Sequence, residues 1–231
     1  MFPFFFDPTM ILLIPALILA LWAQTRVKTV FARYERVGSR RGVTAAGAAR
    51  ALLDRFGLSS VPVNRVAGNL TDHYDPRKKS LSLSDQVYSS TSIAAIGVAA
   101  HEVGHAIQDS VDYSPLRIRN AIVPAVGIGS SLAFPLFFLG ILFRGQVLMD
   151  IGIILFLGVI VFHLVTLPVE FDASRRALKV LGDTGILSVD EIGGAGAVLK
   201  AASWTYVAAT LMAFAQMIRL LFLRGMYGRR D

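Results

Sequence analysis

Apolar residues fall along this chain in long blocks, and the blocks are longer than the elements of an ordinary soluble fold. Residues 9–23 form one block, headed by Phe2, Phe4, Phe5 and Phe6 and followed closely by Arg26, Lys28, Arg33, Arg36, Arg40 and Arg41. Residues 121–143 and 147–169 form two more, parted only by Arg144, Gly145 and Gln146. A helix rises about 1.5 Å per residue, so each of these two can cross roughly 30 Å of hydrocarbon. Together they predict a hairpin that leaves one side of a membrane and returns to it. A last helix is predicted to start near Ser188, with an apolar part over residues 201–223. Arg219, Arg224, Arg229 and Arg230 crowd its end. Those arginines run against the positive-inside bias if the segment crosses, so it reads either as a further crossing or as a helix lying at the interface.

Between the first block and the hairpin the pattern turns soluble. Thr44 is placed to cap a helix running to Arg55, and Gly57 to end it. Residues 61–66 and 81–84 predict short strands, with Asp75-Pro76 turning the chain between extended segments. The Leu81-Ser82-Leu83-Ser84 alternation predicts an exposed edge strand. Thr91 or Ser92 then caps a helix from Ile93 through Ile107 that is apolar nearly all round, hence buried. Past the third block, Pro168 is followed by Glu170, which is expected to open a new helix over residues 170–178.

Composition sharpens this. With 54% hydrophobic and only 17% charged residues, and a positive mean hydropathy, the chain carries more apolar surface than a soluble core can absorb. There is no cysteine, which excludes disulfides, thiolate metal sites and cysteine nucleophiles. Any metal must be held by carboxylates and the four histidines. The net charge of +7 sits beside apolar runs and is not interleaved with stacking aromatics, so an anionic lipid surface, and not nucleic acid, is the expected partner. Basic residues follow the first block and none precede it, the reverse of a secretory signal. It reads as a retained anchor with the N-terminus outside and the next segment cytoplasmic.

One stretch carries chemistry. His101-Glu102-Val103-Gly104-His105 is an HExxH motif, and on a helix its imidazoles stand one turn apart and can grip one metal ion. Glu102 beside them can take a proton from water at such an ion, as general base. Two imidazoles and a carboxylate inside an Ala/Ile/Val helix cost several kcal/mol, of order 2–7 per uncompensated polar group, unless something satisfies them. A divalent cation would. A catalytic zinc site needs a third ligand, and Glu170 at the returning end of the hairpin is the leading candidate. His163, deeper in the apolar run, and Asp172, turned about 200° from Glu170 on a helix, are weaker alternatives.

The stretches Leu70-Thr71-Asp72-His73-Tyr74-Asp75-Pro76-Arg77, Val98 through Gln108 and Thr166-Leu167-Pro168-Val169-Glu170-Phe171 resemble the YugP-like membrane zinc metallopeptidase family. The resemblance covers nearly the whole chain. Its order of anchor, small domain, HExxH helix, hairpin and later Glu is also similar to the gluzincins that include the HtpX and CAAX-processing membrane proteases. It implies a bacterial plasma membrane, one zinc per chain held at His101, His105 and Glu170, and Glu102 as base. Two departures stand out. Many gluzincins carry an Asp four residues after the ligand Glu, supporting a zinc-bound His, where this chain has Ser174, so that the resemblance leaves the supporting role to Ser174 or another group. The YugP type commonly has Asn where this chain has Asp172.

A group to steady developing oxyanion charge is also required, and His73, Tyr74 and Tyr206 are candidates, the last also readable as a packing aromatic. The predicted strand at residues 81–84 is a candidate for pairing with an extended peptide. Gly193, Gly194 and Gly196 lack the Lys-Ser/Thr of a phosphate loop and read as close helix packing. The expected fold is a mainly α membrane protein, with three to four transmembrane helices and a small cytoplasmic α+β zincin-like element. Its expected parts are an anchor over 1–25, a cytoplasmic part with edge strands and the HExxH helix over 26–119, the hairpin over 120–169, and a third-ligand helix plus C-terminal membrane helix over 170–231. The expected function is zinc-dependent cleavage of peptides or membrane proteins near the cytoplasmic face, in a multi-pass plasma-membrane protein. The alternatives are a catalytically silent zinc-containing scaffold and a zinc hydrolase of another amide.

Overall fold

The computed structural model describes residues 8–228, so Phe2, Phe4, Phe5, Phe6, Arg229 and Arg230 lie outside the described residues. A 3-10 turn at Pro8–Leu13 leads into α1 (Ile14–Glu35). Then come α2 (Ala45–Arg55), β1 (Val63–Val66), β2 (His73–Asp75), β3 (Ser80–Ser84), the short α3 (Asp85–Tyr88), and α4 (Ile93–Ser110). Three long helices complete the chain: α5 (Ser114–Leu142), α6 (Gln146–Thr184) and α7 (Val189–Tyr227). The described chain divides into two compact units. One takes the chain up to Ala23, Ile118–Leu167 and the chain from Thr205; the other takes Gln24–Arg117 and Pro168–Trp204.

Pro8–Glu35, α5, α6 and α7 are each long and apolar enough to cross a membrane. The chain is a mainly α membrane protein with a small three-stranded sheet. In the first unit, Ile11, Ile18, Ile154, Leu157 and Leu164 face outward, an arrangement suited to lipid. Its interior is built on Ala133, Phe137, Met149, Phe156, Met217 and Leu220. Between helices in lipid, close backbone approach replaces the hydrophobic drive. Gly152 shows it: a Cβ there would meet the Ala133 carbonyl oxygen at 2.7 Å. Two of the C-terminal arginines are engaged within this unit. Arg224 makes a two-pronged contact to Asp150 at 2.8 and 3.0 Å, and Arg219 donates to Thr9.

The second unit is built around a core of alanines and aliphatic side chains from α2, α4 and the sheet. Thr44 caps α2 by accepting from the Gly47 N–H, and Gly57 closes its end at a positive φ of 72°. That helix turns Ala48, Ala49, Leu52 and Leu53 inward onto α4. Ser92, and not Thr91, caps α4. Gly194 fits against the Tyr34 ring, where a Cβ would come within 2.7 Å, as close packing requires; Gly193 has open space and serves no such contact.

Two expectations are corrected here. The strand at residues 81–84 is no edge. The sheet order is β1-β3-β2, with β3 parallel to β1 and antiparallel to β2, and every residue of β3 is buried. The Ser/Leu alternation reflects small polar side chains that bond inside the unit: Ser84, for example, donates backbone and hydroxyl hydrogens to Asp72. Strand addition to residues 81–84 is therefore closed off on both sides. The second correction concerns Glu170, which opens no helix. It lies within α6, which runs unbroken through Pro168. Proline removes one N–H from the ladder, and such a loss is tolerated in an apolar helix whose neighbours hold it in place.

Leu81 is fully buried at the centre of this sheet. Leu81→Ala is expected to lower the folding free energy by roughly 2–5 kcal/mol, measured by chemical denaturation in mild detergent.

Candidate metal centre

α4 carries His101 and His105 one turn apart on one face, and their rings meet edge to face with centroids 4.7 Å apart. α6 brings Glu170 to that face. Its Oε2 lies 3.2 Å from His101 Nε2 and 3.6 Å from His105 Nε2. One ligand atom from each of the three residues falls within 4.8 Å of the others. Zinc bonded at about 2.0–2.1 Å to N and O ligands in a tetrahedron sets its ligand atoms about 3.3 Å apart. The donor set and its spacing fit.

A glycine makes the approach feasible. A Cβ at Gly104 would lie 2.5 Å from the Ala173 carbonyl oxygen and 3.2 Å from its Cα, so α6 packs onto α4 with backbone against backbone. Ala173 is three residues beyond Glu170. The centre is also built to hold positive charge. Burial alone would push the His105 imidazole down, yet the bond to Glu170, the charges of Glu102 and Glu170, and Gln108 outweigh it and hold its pKa above the ordinary value.

The far nitrogens of the imidazoles are held as well. Ser174 Oγ lies 3.1 Å from His101 Nδ1, one helical turn after Glu170. Gln108 Oε1 lies 3.0 Å from His105 Nδ1. The same amide donates to the Val169 carbonyl at 2.8 Å and to Asp172 Oδ2 at 2.9 Å, and Asp172 pairs with Arg176. Asp172 thus bonds Gln108 and Arg176 and is not part of the metal-capable cluster. Gln108 had no role in the sequence reading. Its signal was its position three residues after His105, on the same helical face.

Glu102 is buried, and its Oε2 accepts from the Tyr74 backbone N–H at 2.9 Å. Tyr74 pairs with Leu81 of β3, so its outward N–H makes β2 the sheet edge nearest Glu102. The Tyr74 phenol is committed to Asp109 at 2.6 Å, on a carboxylate that also receives Lys79. His73 is exposed, with Nδ1 2.9 Å from the Thr71 carbonyl. His163 stands beside Phe162 in the other unit and is not part of the metal-capable cluster. Tyr206 also belongs to that unit, where its carbonyl accepts from Thr210.

Two outcomes follow from this geometry. Gly104→Ala drives a methyl into the Ala173 backbone, which cannot swing aside as a side chain would. It is expected to weaken zinc binding at least about tenfold, the scale set by displacing a ligand's support, read by competition with a chromogenic chelator. For Tyr74, burial first and then the bond to Asp109 push the phenol above its ordinary value near 10. A raised pKa means its stabilisation is complete below about pH 10 and is lost as pH climbs through the folded-state value. The stability gap between wild type and Tyr74→Phe is therefore expected to be flat up to about pH 10 and to shrink above it, measured by denaturation at stepped pH.

A family model described as "Putative neutral zinc metallopeptidase" matches residues 9–225. The chain is 46% identical over 217 residues to the "Putative membrane protease YugP" of Bacillus subtilis (strain 168), a match covering 93% of this chain and 96% of that protein. No solved structure matches. With its helices, its His/His/Glu cluster and this likeness in accord, the chain belongs to the neutral zinc metallopeptidase family.

Proposed function

We propose that this chain is a membrane-embedded zinc endopeptidase that hydrolyses peptide bonds of membrane proteins or peptides close to the cytoplasmic face. One observation carries the reading: two imidazoles and a buried carboxylate converge on one point, with a second carboxylate, Glu102, beside them. His101, His105 and Glu170 would hold one zinc ion. When bound, zinc supplies Lewis acidity that acidifies water and polarises a substrate carbonyl.

Glu102 is the general base. Its Oε2 is fixed by the Tyr74 N–H, which leaves Oε1 to take the proton from water. The same carboxyl then delivers that proton to the departing amine nitrogen, so the carboxylate is restored when the peptide bond breaks. Ser174 and Gln108 keep the two imidazoles oriented throughout.

The membrane setting supports a substrate near the lipid boundary. From Gln146 to Glu170, α6 rises about 36 Å at roughly 1.5 Å per residue. That exceeds roughly 30 Å of hydrocarbon, so Glu170 stands at the margin of the apolar layer, and not in its middle. Basic residues from Arg26 to Arg41 lie in the last turns of the first spanning helix and just after it, and support a cytoplasmic placement of the centre by the positive-inside rule. The relative's printed name, a membrane protease, agrees with a peptide substrate.

The decisive experiment uses the full chain in lipid nanodiscs with peptide and lipid-linked amide probes, with zinc content measured beside turnover. Glu102→Gln is expected to lower hydrolysis by at least about a hundredfold, the scale of a lost general base, while zinc content stays near one per chain. Glu170→Ala is expected to lose both. Full activity in Glu102→Gln removes that residue as base; zinc without turnover on any probe in wild type favours a scaffold; cleavage of the lipid-linked amide alone makes the chain another kind of amidase.

A further inference from the structure

The imidazole supports on the two sides of the centre differ chemically. A serine hydroxyl, as at Ser174, both donates and accepts, so it can face His101 Nδ1 in either protonation pattern. A glutamine amide has one donating end and one accepting end, and at Gln108 its neighbours decide which is which. The Val169 carbonyl, at 2.8 Å, and the Asp172 carboxylate, at 2.9 Å, only accept, so the NH2 group must face them. The carbonyl oxygen is left facing His105 Nδ1 at 3.0 Å, and it only accepts. His105 then carries a hydrogen on Nδ1, and Nε2, 3.6 Å from Glu170 Oε2, is the nitrogen that would take the metal.

Gln108 is fully buried and bridges the two helices at the decisive place. One end holds a metal-facing histidine of α4. The other holds the α6 carbonyl immediately before Glu170. Asp172 sets this amide's direction and is itself held by Arg176 at 2.6 Å, whose guanidinium carbon lies 5.7 Å from the centre of the Tyr113 ring.

We infer that Gln108 is a positioning residue, oriented by Asp172, that locks His105 into its metal-binding form and holds it in register with Glu170 through the Val169 carbonyl. This rests on the zinc reading above. It adds a chain of command that runs from a half-buried surface ion pair to one ligand of the centre.

The test measures the zinc dissociation constant of the full chain in detergent by chelator competition, together with the visible bands of the cobalt(II)-loaded chain, which report ligand geometry. Gln108→Leu, similar in volume, is expected to weaken zinc about tenfold or more and to change the cobalt bands. A merely structural role would lower the melting temperature and leave the bands of the folded protein as in wild type. Asp172→Ala keeps the amide but frees its direction, and is expected to weaken zinc several-fold, less than the roughly tenfold or more of removing the support itself. Wild-type zinc affinity and cobalt bands in Gln108→Leu overturn the inference. If that variant does not fold, the same result in Asp172→Ala overturns it. Wild type that binds neither ion sinks the metal reading instead, so the two failures are told apart.

Discussion

The contact on which everything else depends is between two backbones. Gly104 has no Cβ, and the Ala173 carbonyl occupies the place where one would be. At that separation, side chains three residues earlier on α6 and one residue later on α4 reach the same point. A wider spacing would leave Glu170 short of two imidazoles that are otherwise ready. The x positions of HExxH are thus not idle spacers here: the second is the point at which the Glu170 carboxylate is brought to the two imidazoles.

Around that contact, the unit that holds the centre is organised to keep charged groups buried without stranding them. Glu102 lies against a backbone N–H of the sheet edge, Glu170 against two imidazoles, and each imidazole against a hydrogen-bonding side chain. Buried polar groups are tolerated only when so partnered. The small sheet earns its place by this. β3, at its middle, is buried on all residues and carries β2, which carries the Tyr74 N–H to Glu102.

The membrane helices do two jobs with one sequence. α6 is apolar enough over its first part to cross a bilayer, then continues without a break through Pro168 into a segment that carries Glu170, Asp172 and Ser174. Within that segment Glu170 and Ser174, four residues apart, share a face, and both meet α4.

Much of this was legible in the residues themselves. The apolar blocks are long enough to read as spans, the i, i+4 imidazoles follow from helical geometry, Thr44 and Ser92 announce helix starts, and the lack of cysteine confines metal ligands to His and carboxylate. These signals are local, set within one or two turns or by a composition that only lipid accommodates. What the tertiary structure alone decided depends on partners distant in sequence. β3 is central because two earlier segments of the chain, β1 and β2, pair with it along its two edges, and alternation within five residues cannot reveal that. Pro168 stays helical because α4 packs against α6 beyond it. Gln108 matters because a carbonyl and a carboxylate more than sixty residues away orient its amide. A single strand of residues states which groups can bond; only the approach of two helices, permitted at one glycine, states which of them do.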